Sequence, residues 1–145
     1  TLSISHLTLD QASSPWEKRY VQRKNLAPDL VVRAEAASKE HRQWFQQALA
    51  AGVKMALGSD INPISDSALL EMGLWVKAGA SPWQTLIAAT RNAADLCGVG
   101  EDLGTVEPGK LADLIVVDGN PLDDIDNLRR LRLVLKEGAV VAHHR

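Results

Sequence analysis

The chain has 145 residues, of which 46% are hydrophobic and 23% charged, the balance of one ordinary globular domain able to bury a core. A formal net charge of -2, with lysines and arginines scattered rather than clustered, provides no basic stripe and argues against nucleic acid or an anionic membrane as partners. A lone Cys97 excludes an internal disulfide framework and permits a reducing compartment, so a cytoplasmic location is expected, and no apolar run reaches the about 18 residues of a membrane-spanning helix.

The opening TLSISHLTLD has neither an initiator Met nor a charged segment followed by an apolar one, so targeting stays open and a longer parent protein is expected. Leu2 and Ile4 alternate with Ser3 and Ser5 like the tail of a strand, with His6 at its end. No second histidine or carboxylate stands near His6 at ligand spacing, which favours a loop histidine over a metal ligand. Ser13-Ser14-Pro15 is a cap followed by a first-turn proline and predicts a short helix to about Asn25. Pro28 and Asp29 open a longer helix. Its apolar stripe of Val32, Ala36, His41, Trp44, Phe45, Ala48 and Leu49 runs into Ala50-Ala51-Gly52, with glycine at the C′ place.

The stretch GVKMALGSDINP, Gly52 to Pro63, organises the middle of the chain. Val53, Met55 and Leu57 are large, Ala56 and Gly58 small, and Lys54 the only charge, which predicts a buried strand delivering Asp60 to its C-terminal end. Loops diverge at that end of parallel strands and ligands bind there, so Asp60 is a candidate for chemistry. The same position suits a plain turn former or helix cap, and Asn62-Pro63 beside it are turn residues.

Ser65 or Asp66 is expected to cap a helix through Leu69, Leu70, Leu74 and Val76 to Ala78, stopped by Gly79, with Glu71 and Lys77 as solvated positions. Ser81-Pro82 starts another, with Trp83, Leu86, Ile87 and Ala89 on its apolar side and the tryptophans as core residues. Thr90 recaps a last short helix through Leu96, closed by Gly98. Then the pattern turns to β: a strand over Leu111 to Val117 interrupted by Asp113, and a hairpin of Leu131 to Leu135 and Ala139 to Ala142 around Lys136-Glu137-Gly138.

GTVEPGKLADLIVVDGNP, Gly104 to Pro121, resembles the segment with which metal-dependent amidohydrolases close their accessory β-sandwich. GVKMALGSD resembles that family's eighth barrel strand, SPWQTLIAATRNAADLCGV the helices after it, and VLKEGAVV its last hairpin, together about two thirds of the chain in the family's order. His41-Arg42-Gln43-Trp44-Phe45 is similar to a pattern on the long seventh helix of the branch with imidazolonepropionases and Xaa-Pro or Xaa-Arg dipeptidase-like enzymes. The resemblance implies an α/β fold: the C-terminal portion of a (β/α)8 TIM-barrel amidohydrolase plus part of its accessory β-sandwich. Residues 1–98 would be the end of the barrel, from the end of strand 7 through the helices after strand 8, and residues 99–145 the sandwich segment. A strand at 53–57 that is apolar on both faces, with only Leu2 to Ile4 as a nearby neighbour, points independently to a sheet edge completed from elsewhere.

The resemblance further implies a divalent metal, commonly zinc, at the barrel mouth, with Asp60 matching the family's eighth-strand aspartate as both metal ligand and catalytic proton carrier. Such an ion activates a water that attacks an amide carbon, and the carboxylate takes and returns the proton. The expected substrate is a small amide, cyclic amide or dipeptide. Most ligands would lie outside this chain, in an N-terminal part of the same protein, because no His-x-His occurs and His143-His144 are adjacent in the last hairpin tail. Where many relatives carry His-Gly after the aspartate, this chain has Ile64-Ser65-Asp66-Ser67, so no substrate-binding residue is assigned. Asp113 and Asp118 belong to the sandwich segment and are expected to cap turns or pair with nearby lysines. A homo-oligomer is compatible with all of this. The competing reading is a structural or subunit module that retains only the C-terminal part of the fold without chemistry.

Overall fold

The computed structural model describes residues 28–58 and 64–144, an α/β chain of four α-helices followed by a three-stranded antiparallel sheet. The described residues fall into two compact units, one drawn from Thr1–Val53 and Gly58–Ala80, the other from Lys54–Leu57 and Ser81–Arg145. The strand tail at Leu2 to Ile4, His6 and the expected helix from Ser13 to Asn25 lie outside the described residues.

In the first unit α1 spans Pro28–Ala50 and α2 Ile64–Lys77. Both stop in the same way. The Gly52 N–H donates to Leu49 O and the Val53 N–H to Ala48 O, while Gly79 donates to Val76 O and Ala80 to Trp75 O. These paired bonds satisfy the last carbonyls of each helix, and they need a left-handed residue, supplied by Gly52 at φ 68° and Gly79 at φ 112°. The helix from Ile64 begins earlier than expected, so Ser65 and Asp66 stand in its first turn rather than before it. The unit is held by Phe45 against Trp75, ring centroids 4.8 Å apart in an edge-on arrangement, and by Gln46 Nε2 donating to Ala78 O at 2.9 Å. Glu71 is not solvated as its charge led one to expect: it is 0% exposed and accepts a hydrogen bond from Trp75 Nε1 one turn on, at 3.3 Å. Of the α1 stripe, Phe45 is buried, but Trp44 is 67% exposed.

The second unit begins with residues 54–57, which take no regular secondary structure. The buried strand expected over Val53–Leu57 does not form: the segment joins no ladder among the described residues, and Val53 is 53% exposed. A strand is defined by its neighbours, and the neighbours here are helices. Pro82–Ala89 forms α3 behind a complete capping box, with Gln84 N donating to Ser81 Oγ at 3.1 Å and Ser81 N to Gln84 Oε1 at 2.8 Å. Arg91–Leu96 forms α4, which Thr90 precedes without capping it: the Thr90 hydroxyl donates backward to Leu86 O at 2.7 Å. Gly98, at φ 73°, ends α4 as glycine ends α1 and α2, with Gly98 N to Asp95 O and Val99 N to Ala94 O. Trp75 fulfils the core expectation for the tryptophans, whereas Trp83 on α3 is 60% exposed.

The sheet runs β1 (Leu114–Val117), β2 (Leu131–Lys136) and β3 (Ala139–His143) in that order. The first strand is shorter than Leu111 to Val117, because Leu111 N is drawn to Asp102 O and Asp113 turns the chain. Ile115 faces Val134 across one ladder and Val134 faces Ala142 across the other, each ladder carrying one register shift. Glu137 at φ 50° and Gly138 at φ 81° make the two-residue hairpin turn whose twist matches that of the strands. A 3₁₀ turn over Ile125–Arg129 seats Ile125 and Leu128 in the core of this unit.

Candidate functional site

Asp60, the residue that carries the expected chemistry, lies outside the described residues, as does His6. The structure does describe the backbone that leads to Asp60. Lys54 to Leu57 is tied to α3 and α4 by three bonds of different kinds. Leu57 N donates to Ala88 O, the C-terminal carbonyl region of α3, at 3.0 Å. Asn92 Nδ2, from the first turn of α4, donates to Met55 O at 2.8 Å. Lys54 Nζ and Asp95 Oδ2 form an ion pair at 2.6 Å. The Lys54 ammonium, above all through its hydrogen bond, holds the Asp95 carboxyl below its ordinary range, although the pair is solvent-exposed and stabilises the fold little.

Sequence reasoning passes over Asn92, one letter of ATRNAAD. Its signal is a polar amide among alanines in a helix's first turn, where a surface residue needs no such side chain. Its Oδ1 is buried and has no hydrogen-bond partner among the described residues. The same holds for Thr105 Oγ1.

Asp113 and Asp118 each take a basic partner. Asp113 pairs with Lys136 at 2.6 Å and accepts the Glu137 N–H at 2.7 Å, so it closes the β2–β3 turn from the side. These two hydrogen bonds, the lysine first, lower its pKa, and the same bond raises that of Lys136. Asp118 reaches an arginine rather than a lysine, Arg132, at 3.6 Å. His41, His143 and His144 are exposed, on α1, at the end of β3 and just beyond it. Among the described residues no group of three or more His, Cys, Asp or Glu side chains could hold a metal ion, so these residues by themselves do not fit a divalent cation. No helix among them is long and apolar enough to cross a membrane.

Residues 4–141 match the amidohydrolase family. The chain belongs to that family. Among curated relatives, this amidohydrolase chain is 35% identical over 96 residues to an imidazolonepropionase of Thermoplasma volcanium, covering 62% of this chain and 24% of the relative. It is 33% identical over 103 residues to an ochratoxinase of Aspergillus niger, covering 70% of this chain and 22% of the relative. Among solved structures it resembles a Xaa-Pro dipeptidase with methionine bound in the active site, with a TM-score of 0.72 and 32% identity over 83% of this chain and 30% of that one. The amidohydrolase chain thus spans about a quarter of the length of the curated relatives it matches.

Proposed function

We propose that this chain is the C-terminal portion of a zinc-dependent amidohydrolase that hydrolyses a C–N bond in a small amide, cyclic amide or dipeptide. The observation that carries the proposal is the family match over residues 4–141, which includes the Asp60 stretch and the β unit up to Val141. Imidazolonepropionase, ochratoxinase and Xaa-Pro dipeptidase relatives support the substrate class. In this reading residues 1–98 complete a (β/α)8 barrel and residues 99–145 its accessory β-sandwich, in a cytoplasmic enzyme.

Asp60 is the residue proposed for catalysis. Its carboxylate accepts the proton of the attacking water and returns it to the leaving amine, acting as general base and then as general acid within one turnover. A divalent ion would supply charge stabilisation at the carbonyl oxygen, and its remaining ligands would come from the part of the enzyme outside this chain. In the complete enzyme, Asp60→Asn keeps the shape and removes the proton acceptor, and turnover should fall by about 10²-fold or more. The isolated chain, any affinity tag removed, should carry no equimolar zinc after dialysis, since catalytic zinc sites use about three protein ligands. Near-normal turnover of the Asp60→Asn enzyme would remove Asp60 from the mechanism, and tight equimolar zinc on the isolated chain would place the ligands elsewhere.

A further inference from the structure

We draw no further inference here: the strongest candidate, the apolar outer strands β1 and β3 of the sheet, with Ile115, Val116, Val140 and Val141 exposed, restates the accessory β-sandwich already proposed for residues 99–145, and nothing in the structure shows what covers it.

Discussion

Gly104 opens the segment GTVEPGKLADLIVVDGNP, and the structure shows why alanine would not serve there. Its φ is 92°, outside the region that L-residues occupy readily, and a Cβ at this position would stand 2.6 Å from Ala94 Cβ and 3.1 Å from both Arg91 Cα and Thr90 O. Two of those three atoms are backbone of α4 and its approach, so they do not yield by a rotamer change. The conformational part of Gly104→Ala should cost about 1–3 kcal/mol. Forcing a methyl into the close approach should add about 1–3 kcal/mol. The Ala94→Gly change separates the two: it removes the nearest atom but not the strained φ or the backbone contacts. In Gly104→Ala/Ala94→Gly the second change should recover about 1 kcal/mol relative to its effect alone. Ala94→Gly by itself weakens α4 by about 1 kcal/mol, which the cycle subtracts. Because the chain holds two compact units, global melting need not be two-state, and exchange of the amides of central strand β2 reports the opening of the unit concerned. Additive effects within about 0.5 kcal/mol, or a Gly104→Ala cost below that figure, would refute the steric argument.

Trp75→Phe retains the ring against Phe45 but removes the Nε1–H that Glu71 accepts; at a separation of 3.3 Å this should destabilise by about 1–2 kcal/mol, read from the urea midpoint of tertiary fluorescence. Asp113, whose folded pKa is lowered from 3.8, contributes stability that is present above that value and lost as pH falls through the lower folded pKa. Lys136, raised from 10.5, contributes stability that is complete below that value and lost as pH rises through the higher folded pKa. Asp113→Asn should therefore flatten the acid limb of β2–β3 amide protection and bring the Lys136 titration back toward its ordinary range, both measured by NMR. Lys54→Met should likewise return the Asp95 titration upward toward its ordinary range; a carboxyl that still titrates low would assign the shift to Arg91 or Lys110 instead.

The sequence by itself determined the local features of this protein. Pro28, the Ser81-Pro82-Trp83-Gln84 cap, glycines 52, 79 and 98, and the Lys136-Glu137-Gly138 hairpin turn act through bonds only a few residues long, so their outcome is written in neighbouring letters. The family was legible for the same reason, as linked motifs that the match over residues 4–141 bears out. Tertiary structure decided what depends on distant partners. An apolar run at residues 53–57 is a strand only where another strand pairs with it, and the described neighbours are the Ala88 carbonyl and the Asn92 amide. Whether Glu71 lies in water or beneath Trp75, and whether Trp83 is covered, depends on which elements pack over them, which helical spacing does not specify. Asn92 illustrates the limit most clearly: its hydrogen bond spans 37 residues, and no periodicity links an asparagine in ATRNAAD to the carbonyl of Met55.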